Sequence, residues 1–310
     1  MTQHIDFKVE KEAFFSEITD RQAYLVRGAV SPTLVSWANV NQALHAVTPT
    51  SPDVKVHRNG ILPESEYLED HSIVGMHKKR INRDALYGLL REGATLVLNR
   101  FDERFATLRE LCAEVTEFTN AETLANGYVT FSTVGGFGMH WDTHDVLAIQ
   151  LIGRKRWKVY EPTFSYPLLE QKSMHQRDGI PDTPTLDVVL EAGDMIYVPR
   201  GWWHNAIPIG ETFHVAIGVH GPTMLDYISW LSQRVLRSKA EFRQSVRPGL
   251  EKSEEVKQVA RMMQEAMADP KLYALFLRDI GAHIRFNGPV EGFRIDTRGR
   301  PRVESPLDTV

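Results

Sequence analysis

The stretch GGFGMHWDTHDVLAIQLIGRKRWKVYEP, residues 135–162, decides the fold class of this chain. It contains two β-rich runs, DVLAIQLI (145–152) and RWKVYEP (156–162), separated by a glycine and basic residues. Runs of this length, bounded by glycine or proline, are typical of strands in an antiparallel sheet. His140 and Asp142 come just before the first run, and the glycines ahead of them allow the backbone to bend sharply.

Further runs of the same kind lie on both sides of this stretch. They are NGYVTFSTV (126–134), LDVVLEAGDMIYVP (186–199) and ETFHVAIGVH (211–220). Short strands in succession, with turn residues between them, indicate an antiparallel sandwich or barrel. The sequence therefore predicts a mainly β domain over this part of the chain.

Helices and strands are mixed in the region before residue 122. Apolar spacing, caps and turn residues predict a strand at 22–28, a helix capped by Ser31 with Pro32 at its first position and running through Leu44, a loop at 48–60, a helix at 83–91, a β-rich run at 94–99 and an amphipathic helix at 102–119. This region is predicted to be an α/β elaboration of the barrel.

Helical periodicity returns near the C-terminus. One apolar stripe consists of Leu225, Ile228, Leu231 and Val235. Two more helices are predicted at 251–268 and 270–281, and a small hairpin or ordered tail at 284–310. We therefore divide the chain into a domain at 1–222, whose core barrel is about 94–222, and a helical region at 223–310.

The composition of the 310 residues is that of an ordinary globular protein, with 42% hydrophobic and 25% charged residues. A net charge of −4 offers no general attraction to nucleic acid or to an anionic membrane, so we expect neither as a partner. No signal-peptide pattern or membrane-spanning apolar run is evident. The single cysteine, Cys112, excludes an intramolecular disulfide and a cysteine-rich metal site. These features predict a cytoplasmic protein.

His140, Asp142 and His204 are the candidate metal ligands. Residues two apart on a strand share a face, with Cα atoms about 6.5–7 Å apart, so the first two can converge on one cation. His204 lies in GDMIYVPRGWWHNA (193–206), after an apolar run and a Pro-Arg-Gly turn. Two imidazoles and one carboxylate leave three open positions on an octahedral ion, which suits Fe(II) that must also bind a chelating co-substrate and O₂.

Other histidines compete with this set. On an ideal strand His144 would share the face of His140 and Asp142, so it can act as a ligand, line a substrate pocket or pack. His214 and His220 lie on a predicted core strand, where packing or hydrogen bonding is the more common role.

Three segments match a known family: HWD (140–142), DVLAIQLIGRKRWKVYEP (145–162) and GDMIYVPRGWWH (193–204). They resemble the JmjC branch of the cupin-type 2-oxoglutarate oxygenases, and most closely the ribosomal oxygenase subgroup. The resemblance covers roughly residues 120–220. It implies a mainly β double-stranded β-helix of the jelly-roll or cupin type, with an N-terminal α/β elaboration and C-terminal helices. It also implies that His204, rather than His144, completes the iron site.

The resemblance further implies where the co-substrate 2-oxoglutarate binds. In the subgroup, a basic residue fifteen positions after the first iron-binding histidine pairs with the distal carboxylate, and that position here is Lys155. Without the resemblance, Arg154, Lys155 and Arg156 are interpreted as a solvated basic turn.

Asn126 and Tyr128 match co-substrate-contacting residues of the family in their spacing to the first ligand. They can equally be a strand-edge residue and a core residue. The subgroup often has a serine near the co-substrate on the strand after the last histidine, where this chain has Ala216 and Gly218. A supporting hydroxyl contact is therefore expected to be missing or moved.

The resemblance implies an Fe(II)- and 2-oxoglutarate-dependent dioxygenase that hydroxylates an unactivated C–H bond, most readily in a protein or peptide side chain. Hydroxylation of a small metabolite or free amino acid is the alternative within the same chemistry. A non-enzymatic, metal-binding cupin-like module is the alternative of another class. The region at 223–310 resembles the subgroup's dimerisation region, which predicts a homodimer, although its apolar stripe can equally cap the barrel.

Overall fold

The computed structural model describes residues 3–133, 135–249 and 254–287. Internal contacts divide the chain into two units, Met1–Thr223 and Met224–Val310. The hairpin predicted at 284–310 is wrong for residues 284–287, which belong to a helix, and the remainder lies outside the described residues. In the part of the chain that is described, no helix is both long and apolar enough to cross a membrane.

The described residues of the first unit form twelve strands. They are β1 (Tyr24–Val26), β2 (Val54–His57), β3 (Leu68–Ile73), β4 (Met76–Ile81), β5 (Thr95–Leu98), β6 (Glu122–Thr130), β7 (Asp145–Ile152), β8 (Lys155–Tyr160), β9 (Leu186–Leu190), β10 (Met195–Val198), β11 (Trp203–Pro208) and β12 (Thr212–His220). A seven-stranded sheet has the order β1-β10-β7-β12-β6-β5-β2, and a three-stranded sheet has the order β11-β8-β9. The remaining pair, β3 and β4, forms a separate hairpin.

The large and small sheets face each other across an apolar interior. Val146 and Ala148 of β7 pack there with Trp157 and Val159 of β8. The intervening residues of β7 lie in a second buried cluster, which includes residues of the N-terminal helices. Because both faces of β7 are covered, most of its residues are apolar, and its one interior polar residue, Gln150, is buried and hydrogen-bonded. Two facing antiparallel sheets confirm the predicted mainly β, double-stranded β-helix.

The α-helices described in the first unit are α1 (Lys11–Ala13), α2 (Trp37–Leu44), α3 (Arg83–Arg91) and α4 (Ala106–Thr119). Helix α3 has the predicted bounds. Helix α4 begins later than predicted, because Phe101–Glu103 forms a separate 3-10 turn. Its residues Leu108, Leu111 and Val115 are fully buried.

The structure differs from the prediction between residues 31 and 81. Helix α2 begins at Trp37 and not at Pro32, because Ser36 and Asn39 form a reciprocal cap. In this cap the Asn39 N–H donates to the Ser36 hydroxyl (3.4 Å) and the Ser36 N–H donates to the Asn39 side chain (2.9 Å). The loop predicted at 48–60 contains β2, which pairs with β5. The mostly exposed hairpin of β3 and β4 has no counterpart in the prediction.

Strand boundaries near the candidate site also differ. The strand predicted at 186–199 is two strands, β9 in the small sheet and β10 in the large one. Gly193 turns the chain between them with a φ of +100°. His204 lies on β11, a strand that the prediction lacks.

The second unit contains α5 (Met224–Arg234), α6 (Glu254–Ala268) and α7 (Pro270–Asn287) among its described residues. Its buried core consists of Tyr227, Leu231, Leu236, Ala266 and Phe276. The predicted apolar stripe is partly wrong, because Leu225 is 56% exposed whereas Leu231 is buried. The core lies instead on the face of α5 that carries Tyr227 and Leu231.

Gly153 turns the chain between β7 and β8 with a φ of +71°. A Cβ atom at this position would overlap the carbonyl oxygen of Glu211. We expect Gly153→Ala to lower the free energy of unfolding by about 3 kcal/mol, because backbone strain and steric overlap add together. Urea denaturation followed by circular dichroism measures this loss.

Gly28→Ala is the matched control for this variant. Gly28 also has a positive φ (+58°), but a Cβ atom there would meet open space. Its expected loss is only the backbone contribution of about 1 kcal/mol. Equal losses in the two variants would contradict the steric explanation.

Candidate metal centre

His140 and His204 are joined through the main chain. The His140 N–H donates to the His204 carbonyl (3.1 Å), and the His204 N–H donates to the His140 carbonyl (2.8 Å). Nearby, the Gly201 N–H donates to the Asp142 carbonyl (2.9 Å). These bonds hold residues that are far apart in the sequence side by side, next to the start of β11.

The side chains of His140, Asp142 and His204 converge at this point. One ligand atom from each residue lies within 4.8 Å of the other two. His204 Nε2 is 3.5 Å from Asp142 Oδ2, and the centroids of the two imidazoles are 4.4 Å apart. Ligands that form bonds of about 2.0–2.2 Å to one ion have similar separations, so the spacing suits a single cation.

Each of the two imidazoles is oriented by a carbonyl oxygen of its own segment. Nδ1 of His140 lies 3.1 Å from the Gly138 oxygen, and Nδ1 of His204 lies 3.1 Å from the Trp202 oxygen. Because a carbonyl oxygen can only accept, each Nδ1 carries the ring proton. Each Nε2 therefore keeps its lone pair available for a metal ion.

The protonation states of the site also suit a cation. Burial, followed by the charge of His140, lowers the pKa of His204 to about 4. Burial raises the pKa of Asp142, but the neighbouring imidazoles, led by His140, outweigh it and leave this pKa below its usual value. At neutral pH the site therefore combines a neutral His204 with an ionised carboxylate, the forms in which these groups bind metals.

Lys155 lies on the interior side of β8 and is only 3% exposed. Its Nζ is 2.9 Å from Nδ1 of His214. The ring of Trp157 contacts both His214 and His204, with a centroid separation of 5.8 Å in each case. Lys155 is therefore in the same interior as the candidate metal ligands, with the Trp157 ring next to both groups.

Only Lys155 among the three consecutive basic residues points inward. Arg154 is exposed, and Arg156 forms an exposed pair with Asp187 in which Nε is 2.6 Å from Oδ1. Burial lowers the pKa of Lys155 to about 7. Across the described residues, no acidic side chain forms an ion pair with Lys155, and its hydrogen-bond partner is the His214 imidazole. A buried cation of this kind is a candidate binding site for an anionic ligand.

Asn126 and Tyr128 of β6 pair with Ala216 and His214 of β12, so they share the interior face. The Tyr128 ring stacks on His214 with centroids 4.8 Å apart. Burial, followed by the charge of Asp142, raises the pKa of Tyr128, so its hydroxyl remains protonated at neutral pH. The Asn126 side-chain oxygen accepts from the main chain beyond β5, at a distance of 3.0 Å.

The family model for the JmjC domain matches residues 98–227, a range that contains the three candidate ligands and Lys155. This part of the chain is a JmjC domain. The match confirms the predicted JmjC type of the β-helix.

Relatives of the JmjC domain include two insect proteins, both named bifunctional lysine-specific demethylase and histidyl-hydroxylase NO66. The Drosophila melanogaster protein is 28% identical over 258 residues, covering 80% of this chain and 38% of that protein. The Drosophila yakuba protein is 30% identical over 216 residues, covering 67% of this chain and 30% of that protein. The chain thus spans less than two fifths of the length of these curated relatives.

Solved structures with the same fold include E. coli ycfD. One X-ray structure has a TM-score of 0.53 and 19% identity, and the match covers 87% of this chain and 71% of that chain. A second, described as the ribosomal oxygenase YcfD from Escherichia coli in complex with cobalt and 2-oxoglutarate, has a TM-score of 0.52 and 18% identity. It covers 89% of this chain and 72% of that chain. At these identities the likeness shows the shared fold.

His144 of the JmjC domain stands outside the group of three converging ligands. Its ring stacks on His220 with centroids 4.6 Å apart. A Cβ atom on Gly218 would lie 2.9 Å from the His144 ring, closer than side-chain contacts allow. Glycine at this position makes room for the His144 ring, and neither Gly218 nor Ala216 supplies a hydroxyl.

Sequence analysis assigns His214 to packing or hydrogen bonding, without naming a partner, and the structure places it beside Lys155. The available signal is the alternation along β12, where His214 shares a face with Ala216 and Gly218. Its pairing with Tyr128 depends on the register between two separate strands, and one sequence alone does not specify that register.

Proposed function

We propose that this protein is an Fe(II)- and 2-oxoglutarate-dependent dioxygenase that hydroxylates an unactivated C–H bond. The observation that carries the proposal is the combination, in one JmjC domain, of the converging His140, Asp142 and His204 with a buried lysine that has no acidic partner among the described residues. The three converging ligands suit a divalent metal. The buried lysine suits the distal carboxylate of a keto acid that chelates the metal.

The donor set fits iron. Two neutral imidazoles and one carboxylate are the ligand types that Fe(II) sites with open positions use. When bound, Fe(II) with 2-oxoglutarate and O₂ supplies the oxidising chemistry, and the protein supplies orientation and a protected interior. Lys155 would bind and orient the co-substrate, Asn126 and Tyr128 would be further contacts from the same interior face, and the Trp157 ring lies between the lysine and the metal ligands. A non-enzymatic metal-binding module would not need this buried lysine.

We propose a protein or peptide side chain as the substrate. The names of the two insect relatives include histidyl-hydroxylase, and the fold relative from Escherichia coli is described as a ribosomal oxygenase. A small metabolite or free amino acid is the competing substrate class. The two classes share the metal and co-substrate residues, so only the hydroxylated product separates them.

The direct test is product analysis with the purified protein. Protein loaded with Fe(II) and 2-oxoglutarate is incubated in air with cell-extract peptides or metabolites, and the His140→Ala variant is incubated in parallel. Succinate formation together with an oxygen-atom mass gain on a peptide, in the wild type only, is the expected result. Mass gain on a metabolite would redirect the proposal to the competing class, and absence of succinate under all conditions would refute it.

We also propose a homodimer assembled through the helical region at 223–310, and a cytoplasmic location. Exposed apolar side chains on α6 and α7 support the homodimer; among them, Tyr273 is 43% exposed and Leu277 is 47% exposed. The single free cysteine, Cys112, is consistent with the proposed cytoplasmic location. A monomeric mass in sedimentation at micromolar concentration would refute the dimer.

The affinity for 2-oxoglutarate is expected to fall as the pH rises from about 7 to 9. Lys155 has a pKa of about 7 in the protein alone, and a bound carboxylate would raise that pKa. Binding above pH 7 must therefore take up a proton, with up to roughly a tenfold loss of affinity per pH unit. Calorimetry in two buffers of different ionisation enthalpy measures this uptake. An affinity that does not change with pH, without proton uptake, would contradict the expectation.

A further inference from the structure

Lys155 and His214 form a buried pair in the interior between the two sheets. Nζ of Lys155 and Nδ1 of His214 are 2.9 Å apart, and the two residues are 3% and 4% exposed. Lys155 lies on the small sheet and His214 on the large one, so this contact spans the interior between the sheets. This hydrogen bond therefore connects side chains of two different sheets.

The direction of this hydrogen bond follows from the chemistry of its atoms. A lysine ammonium can only donate, so Nδ1 of His214 accepts, and the ring proton is on Nε2. Burial and then the neighbouring Lys155 charge lower the pKa of His214, which keeps its ring neutral and able to accept. The ammonium has three N–H groups, and His214 uses one, so two remain for a ligand.

His214 is a rigid acceptor. Its ring stacks on Tyr128 at 4.8 Å and meets the edge of Trp157 at 5.8 Å, so it is packed between side chains of the two sheets. Its strand, β12, is paired on both sides, with β6 and with β7. A lysine side chain has many rotamers, and a fixed acceptor reduces the freedom that ligand binding would otherwise have to remove.

We propose that His214 is a positioning residue for the co-substrate. It holds the Lys155 ammonium in place, so that the remaining N–H groups bind the distal carboxylate of a 2-oxo dicarboxylic acid. This inference rests on the proposed function, and it assigns to His214 a part of the support that a hydroxyl was expected to provide. His214 acts through Lys155 and not on the reacting atoms.

Two ligands separate positioning from a merely structural role. 2-Oxoglutarate has a distal carboxylate, whereas 2-oxobutyrate has the same chelating group and lacks that carboxylate. Loss of the His214 acceptor should weaken the binding of 2-oxoglutarate only. A general disturbance of the interior would weaken the binding of both keto acids. Co(II)-loaded protein provides the readout, because chelation changes its visible absorption even for ligands that bind in the millimolar range.

Three variants divide the contributions of the ring. His214→Ala removes both the acceptor and the ring, His214→Phe keeps a ring for stacking on Tyr128, and His214→Gln keeps an acceptor. We expect the first two to weaken 2-oxoglutarate binding about tenfold, and the third to remain within about threefold of the wild type. Binding of 2-oxobutyrate should change by less than about twofold in all three. His220→Ala, a histidine on the same strand and face, is the matched control.

The outcomes distinguish this inference from the function on which it rests. If the wild type binds 2-oxoglutarate and His214→Phe binds it equally well, the positioning role is refuted and the proposed function stands. Equal losses for the two keto acids would also refute it, in favour of a structural role. If wild-type protein binds Co(II) but no 2-oxoglutarate, the proposed function itself fails.

Discussion

His140→Ala is expected to lower the affinity for Fe(II) by more than about 100-fold and to abolish succinate formation. Loss of residues that merely orient metal ligands typically costs about 10- to 100-fold, and loss of a ligand should cost more. The remaining His204 and Asp142 would offer two donors, which bind a divalent ion far less tightly than three. Metal content after dialysis against Fe(II) without oxygen measures the effect.

His144→Ala is the matched control, because His144 is a partly buried histidine only two residues from Asp142. Its ring packs on His220 and is outside the converging group. We expect this variant to retain its iron. Equal loss of iron from the two variants would contradict the assignment of ligands and would make His144 part of the site.

Lys155→Met is expected to weaken 2-oxoglutarate binding by about 3 kcal/mol, or roughly 100-fold, with little change in metal affinity. The substitution keeps the length of the side chain and removes the charge, so the ligand's distal carboxylate would be buried without a cation. Titration of the Co(II)-loaded protein with 2-oxoglutarate measures the affinity. Arg154→Met is the control, because this neighbouring basic side chain is exposed.

The stability of the same variant provides an independent check. Because burial lowers the pKa of Lys155, holding the ammonium in the interior costs folding free energy at any pH below the ordinary lysine pKa. An apolar side chain of similar size should therefore leave the free energy of unfolding unchanged or raise it. A variant that loses both affinity and stability would indicate disrupted packing and would contradict a specific role in ligand binding.

The strands around the site were predictable from the sequence because burial of both their faces selects mainly apolar residues. β7 and β12 are covered on both faces, so most of their residues are apolar, and Gly153 and Gly221 follow their C-terminal ends. The spacing of His140 and Asp142 predicts that their side chains converge, and they do, although the two residues lie ahead of β7 and not on a regular strand as expected. These features depend on residues close together in the sequence.

The features that sequence analysis missed depend on pairing between distant segments. β2 lies in a polar segment and is a strand because it pairs with β5. The start of α2 depended on a choice between Ser31 and Ser36, and the reciprocal cap with Asn39 decides it. The contact between Lys155 and His214 joins residues of two sheets, and no local pattern encodes it.

The paired main-chain bonds between His140 and His204 predict that folding and metal loading are separate steps. Many small metalloproteins become ordered only when they capture their ion. Here two main-chain hydrogen bonds fix the spacing of the segments that carry the two imidazoles, so we expect the polypeptide to fold first and to bind iron afterwards. A chelator should then abolish activity reversibly and leave the melting temperature nearly unchanged. Activity should also follow the concentration of available Fe(II).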